Sequence, residues 1–153
     1  MFSNIIVGLD GSAPANNALL AACDLAKTFG AKLTLVHAPH PETVAFAMGA
    51  VSGYHAVTTM PPESDVQEAA QKVLDEGKAL AARAGCEVAD ENAIVRRGDS
   101  ADELLAVAQQ IKADLIVTGR RGLGNIAGLV MGSTSQRVAH LAHCAVLSVP
   151  HDA

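Results

Sequence analysis

Five short apolar runs separated by stretches of helix length constrain this chain more than any other feature. Asn4 to Leu9 (NIIVGL), Lys32 to His37 (KLTLVH), Ala93 to Arg96 (AIVR), Asp114 to Thr118 (DLIVT) and Ala145 to Val149 (AVLSV) read as strands. Three of them are apolar on successive residues rather than alternating, the pattern of strands covered on both faces. Between them Ala13 to Phe29, Ser64 to Ala84, Ser100 to Ile111 and Ser133 to Ala142 read as helices. Strand and helix in strict alternation predict a parallel α/β sheet wrapped by helices on both sides.

The helix ends carry their own marks. Ser64-x-x-Gln67, Ser100-x-x-Glu103 and Ser133-x-x-Gln136 have capping-box spacing. Ser12 followed by Pro14 suits a helix entry, and Gly30 and Gly85 suit helix exits. With 153 residues the chain can bury roughly two-thirds of its unfolded surface, so one domain over residues 1–153 is expected. Aromatic residues make up only 3% of it, which leaves Val, Leu, Ile and Ala to build the core.

Composition also excludes classes of function. A net charge of −5 argues against non-specific nucleic-acid binding, which needs clustered cations. Cys23, Cys86 and Cys144 lie far apart without metal-knuckle spacing, consistent with reduced thiols, of which Cys23 and Cys144 read as small core residues. The start, MFSNIIVGLD, lacks the pattern of a secretory leader, and no apolar run is long enough to span a membrane. A cytoplasmic location is the expectation. The stretch Ala38 to Pro62, rich in proline at its ends and apolar between them, reads as a surface excursion or a partner-binding flap.

In an open parallel sheet, ligands bind beyond the carboxyl ends of the strands, where the strand order reverses. The residues following the strands therefore matter most. After the fourth strand comes GRRGLGNIAGLVMGSTS, Gly119 to Ser135. Gly119 and Gly122 allow close backbone approach or positive φ. Gly132 opens a helix that begins Ser133, Thr134 and Ser135, and a helix start offers free N–H groups and a positive dipole end to an anion. Arg120 and Arg121 are candidate phosphate contacts, and exposed surface positions explain them equally well. Together these features describe a polyphosphate cradle. Asp10, in the Asp10-Gly11-Ser12 turn after the first strand, suits a ribose hydroxyl or a Mg²⁺ bridging phosphate oxygens; an Asx turn explains the same residues.

Better-known motifs fail in detail. Gly119-x4-Gly124 begins like a P-loop, yet Asn125 and Ile126 stand where Lys and Ser/Thr belong. Gly122-x-Gly124-x2-Ala127 matches the dinucleotide fingerprint by letter but lacks the acidic residue about 20 positions on. A response-regulator reading lacks the acids beside Asp10 and the lysine after the fifth strand. No nucleophile elbow occurs, and His37, His40, His55, His140 and His143 complete no familiar zinc spacing.

With Asp10-Gly-Ser after the first strand and Gly119-x2-Gly122-x9-Gly132-Ser133 after the fourth, the chain resembles the universal stress protein family, in its ATP-binding branch. The similarity runs over nearly the whole chain and is densest from Asp114 to Pro150. It implies a doubly wound five-stranded parallel sheet in the order 3-2-1-4-5, Rossmann-like, of the adenine nucleotide alpha hydrolase-like type. By likeness, Asp10 meets the ribose or metal, Ser12 is a further nucleotide contact, and Ala38 and Thr118 line the adenine pocket. Gly119, Arg121 and Gly122 lie along sugar and phosphates; Gly132, Ser133, Thr134 and Ser135 hold the phosphates. The ligand expected is ATP, or ADP or AMP, with Mg²⁺ or Mn²⁺ as accompanying ion. A homodimer through Ala145 to Val149 is expected too, although Ala145 stands where the family often has Pro. The function expected is a nucleotide-dependent regulator with little or slow hydrolysis, not an enzyme. A metal-dependent nucleotide hydrolase or nucleotidyl-transfer enzyme is the alternative, and a nucleotide-free scaffold acting through the long loop a third.

Overall fold

The structure is a computed structural model that describes residues 1–40, 61–120 and 131–151. Five parallel strands form one sheet: β1 (Asn4–Gly8), β2 (Lys32–His37), β3 (Ala93–Val95), β4 (Leu115–Gly119) and β5 (Ala145–Val149). Their order is β3-β2-β1-β4-β5. The order reverses at β1, so the crevice between the ends of β1 and β4 is the switch point the sequence led to expect.

Four helices cover the sheet: α1 (Ala13–Phe29), α2 (Glu63–Arg83), α3 (Ser100–Gln110) and α4 (Ser133–Leu141). Alternation along β1 explains both layers. Ile5 and Val7 join Leu19, Leu35, Leu74 and Val117 in a core beneath α1 and α2. Ile6, between them, turns the other way to meet Val36, Leu104, Val107, Ile116 and Val138 beneath α3 and α4. Every second strand residue therefore feeds a different layer, which is why β1 and β4 are apolar on successive residues and β2 is interrupted inside only by the buried Thr34. Asp114 locks the start of the register: its carboxylate accepts from the Ser3 N–H at 2.8 Å and the Asn4 N–H at 3.2 Å.

Three helix starts differ from the sequence expectation. Only at Ser12 does the expected hydroxyl act as the cap, accepting from the Ala15 N–H at 3.3 Å. At α3 the cap is Asp99, one residue earlier than Ser100; its carboxylate accepts from the Ala101 and Asp102 N–H groups at 3.0 and 3.1 Å. A charged acceptor makes the stronger bond there, and Asp99 also pairs with Arg137 of α4. Neither Ser64 nor Ser133 caps its helix: the cap positions are Pro62 and Gly132, without side-chain bonds. The helix exits follow expectation, with Gly30 at φ 65° and Gly85 at φ 76°.

Candidate functional site

A cleft of about 1000 Å³ opens over the carboxyl ends of β2, β1 and β4. Its floor carries His37 of β2 and Ala38 after it, Leu9 and Asp10 just after β1, and Thr118 and Gly119 of β4. The first turn of α4, Gly132 to Ser135, closes one end, and the side of α2 bearing Asp65, Glu68, Lys72, Val73 and Glu76 forms a wall. Of the residues expected at a site, the structure thus brings together Asp10, Ala38, Thr118, Gly119, Gly132, Ser133, Thr134 and Ser135. Ser12 is not on the cleft wall, being occupied as the cap of α1. Arg121 and Gly122 lie outside the described residues, as does most of the Ala38 to Pro62 stretch.

The α4 mouth is built by short backbone bonds. Arg120 donates its N–H to Val149 and accepts from the Gly132 N–H, each at 2.7 Å. The first intrahelical bond runs from Gln136 N–H to the Gly132 carbonyl. A helix offers its first amides no partner of its own, and glycine at the cap position has no side chain to satisfy them. The three hydroxyls are not equivalent. That of Ser135 is buried and donates to the Gly119 carbonyl, so it ties α4 to β4 and is not a donor for a ligand. Ser133 and Thr134 also line the cleft.

Gly119 has a structural reason for lacking a side chain. A Cβ there would stand 2.7 Å from the Pro14 carbonyl carbon, 2.8 Å from its oxygen and 2.9 Å from the Ala15 nitrogen. The start of α1 thus sits directly on the end of β4, and only glycine leaves it room. Thr118 beside it is 4% exposed, and its Oγ1 has no hydrogen-bond partner among the described residues. Buried hydroxyls are normally paired, so an orphan on the wall of a cleft marks a place for a ligand or water atom.

Asp10 answers both readings of its turn. Its Oδ1 accepts from the Ser12 N–H at 2.9 Å, forming the Asx turn, with Gly11 at φ 81° to complete it, and the residue still lines the cleft. No group of three His, Cys, Asp or Glu side chains suited to a metal occurs among the described residues. A divalent cation would therefore be held by the Asp10 carboxylate together with ligand phosphate oxygens, an all-oxygen set that suits Mg²⁺.

The sequence reading treated His37 only as a doubtful metal ligand. The structure places it 8% exposed on the cleft floor, 2.7 Å from the Leu9 carbonyl through Nδ1. Burial pushes its proton affinity below the ordinary imidazole value, opposed by the Leu9 carbonyl and by Asp10. Ala38 is pinned beside it, since the Ser100 hydroxyl donates to the Ala38 carbonyl at 3.3 Å and lies 2.9 Å from His40 Nε2. The signal for His37 was available: a histidine closing an otherwise apolar strand at the ligand-binding edge.

The five-stranded parallel sheet in the order β3-β2-β1-β4-β5, covered by helices on both faces and with a cleft at its switch point, defines a doubly wound α/β protein. The family description "Universal stress protein family" matches residues 1–150, and the chain belongs to that family. It is 38% identical over 149 residues to the universal stress protein in the QAH/OAS sulfhydrylase 3′ region of Thermus aquaticus, covering 97% of this chain and 99% of that one. A crystal structure of a universal stress protein in complex with cAMP superposes with a TM-score of 0.67 at 27% identity, covering 98% of each chain. Universal stress protein UspA from Lactobacillus plantarum shares the fold with a TM-score of 0.73 at 24% identity, covering 96% of this chain and 97% of that one.

Proposed function

We propose that this protein binds an adenine nucleotide in the cleft and acts as a nucleotide-dependent regulator, with ATP as the principal ligand and hydrolysis slow or absent. The observation that carries the reading is one cleft lined both by the first turn of α4, whose cap position makes no side-chain bond, and by Thr118, whose buried hydroxyl has no partner among the described residues. An anionic tail supplies what those amides lack. The relative of known structure that holds cAMP supports an adenine ligand in this fold. In this reading Ser133 and Thr134 meet phosphate, Asp10 meets ribose or a Mg²⁺ ion, and Ala38 and Thr118 border the base. When bound, such an ion screens phosphate charge; the chain's own residues bind and orient. The net charge of −5 favours a small ligand over nucleic acid as partner.

Slow turnover belongs to the same reading, in keeping with Asn125 and Ile126 standing where a Walker-type motif has Lys and Ser/Thr. Assembly as a homodimer through the free edge of β5, where Leu147 is 36% exposed, belongs to the same proposal, as does a cytoplasmic location. No helix among the described residues is long and apolar enough to cross a membrane.

Thermal unfolding with added ATP tests the reading. At 100 times its Kd a ligand adds about 2.7 kcal/mol, or roughly 5–10 °C for a domain of this size. Gly132→Leu should abolish that shift while the variant stays folded; a shift that persists refutes the site. Metal-dependent turnover above about 1 s⁻¹, within the ordinary enzyme range, would replace the regulator reading with the hydrolase one.

A further inference from the structure

Cys23 and Cys86 are far apart in sequence, yet their thiols meet in the layer beneath α1 and α2. Cys23 is a fully buried residue of α1. Cys86 is placed by the exit of α2. Gly85 turns left-handed at φ 76°, and the Cys86 N–H then donates to the Ala81 carbonyl at 2.9 Å, folding the chain back over the helix it has just left. Lys27, one turn beyond Cys23, ties down the same corner by donating through Nζ to the Ala84 carbonyl at 2.9 Å. The two sulfurs come into hydrogen-bonding contact, among core neighbours that are otherwise Ala, Val, Leu and Ile.

A single cysteine in such a place acts as a small hydrophobe. Two in contact can also be joined by oxidation, and their surroundings suit the product. Burial first, and then Cys86, push the Cys23 thiol up to about 12, with Lys27 pulling the other way and Asp24 adding to the rise. A dry site penalises a thiolate, whereas a disulfide carries no charge and leaves no polar group unmet. The core therefore slows the reaction without opposing its product. Cys86 is the point of entry: it is 9% exposed against 0% for Cys23, and it stands between the exposed residues Gly85 and Glu87. Cys144 packs against the other layer and serves as an internal control.

We infer that Cys23 and Cys86 are a redox-modification site, at which hydrogen peroxide joins the pair as a disulfide that staples the end of α2 to α1 and that thiols reverse. In the first step the Cys86 sulfur attacks one peroxide oxygen. The O–O bond breaks, the sulfur becomes a sulfenic acid, and the other oxygen leaves as water with the thiol proton. In the second step the Cys23 sulfur attacks the sulfur of Cys86. The S–O bond breaks, and the hydroxide leaves as a second water with the Cys23 proton. Two thiols lose two electrons, and one peroxide becomes two waters. Neither cysteine lines the cleft, so the site stands independently of the nucleotide reading.

The test uses the full chain, reduced and freed of reductant, then exposed to hydrogen peroxide and labelled with iodoacetamide in denaturant. Intact mass, read before labelling, should fall by about 2 Da, and of the three cysteines only Cys144 should take the label. A tryptic map should contain residues 1–27 joined to residues 84–96, a species lost again on treatment with dithiothreitol. Closing a loop of about 60 residues should raise Tm by several degrees, up to roughly 15 °C. Cys144→Ser should behave as wild type, whereas in Cys86→Ala the Cys23 thiol should survive the peroxide. Should Cys86→Ala not fold, the map of the wild-type chain decides alone. The inference is overturned if Cys23 and Cys86 both take the label after peroxide has consumed free glutathione in parallel. Sulfinic acid on Cys86 without the link overturns it as well, and so does a linked form no more stable than the reduced one.

Discussion

Gly119→Ala is expected to be a stability mutation before it is a binding mutation. The added methyl meets Pro14 carbon at 2.7 Å, Pro14 oxygen at 2.8 Å and Ala15 nitrogen at 2.9 Å, all main-chain atoms. No rotamer relieves such an overlap: α1 must move off β4, disturbing a layer that holds Leu19 and Val117. Overpacking costs 1–3 kcal/mol, and a backbone clash belongs at the upper end, about 3 kcal/mol. For a chain of this size that lowers Tm by roughly 6–12 °C. Gly77→Ala is the control. Its Cβ comes within 2.6 Å of Leu9 Cδ1, the end of a flexible side chain, and in the middle of α2 the change gains about 0.5–1 kcal/mol of helix propensity. The net effect should stay within about 1 kcal/mol of zero. Urea unfolding of both variants without ligand measures the difference, with m unchanged. A Gly119→Ala loss below about 1 kcal/mol, or one no larger than that of Gly77→Ala, would refute the close-approach argument.

Three further outcomes are expected. Asp99→Ala should cost about 1 kcal/mol, as loss of a helix cap does, whereas Ser133→Ala should stay within about 0.5 kcal/mol; chemical denaturation of the pair separates the true cap from the apparent one. Because burial depresses the folded-state proton affinity of His37, its contribution to stability is fully present above pH ~6.5 and lost as pH falls through the folded value. The urea midpoint between pH 7.5 and 5 should therefore fall less steeply in His37→Leu than in wild type. Burial and the neighbouring Cys86 raise the Cys23 thiol to about 12, so iodoacetamide at pH 8 should modify Cys23 in the unfolded chain and leave it untouched in the native one.

The sheet was legible because β1, β2 and β4 bury both faces, which leaves their interiors apolar but for the buried Thr34 of β2 and Thr118 of β4. The helix caps were not. Asp99 and Ser100 are adjacent and equally able to cap, and only the fold, which brings Arg137 to Asp99, sets the carboxylate at the cap position. Gly119 was singled out correctly as a residue that must lack a side chain, but for its ligand; the intruding atoms belong to α1, which no local pattern reveals. The cleft followed from the residues after each strand. Its α2 wall did not, because Asp65, Glu68 and Glu76 read as the solvated face of an amphipathic helix until the fold sets them beside β2.

That wall gives the cleft a direction. One end presents unpaired amides and two hydroxyls of α4; along the side run carboxylates of α2 with a single lysine among them. An anion entering tail-first toward α2 meets like charge across a partly desolvated gap, where repulsion is screened less than in water. The same ligand reversed sets its charge against the positive end of a helix. The cleft therefore favours an anionic group at its α4 end over one at its α2 side.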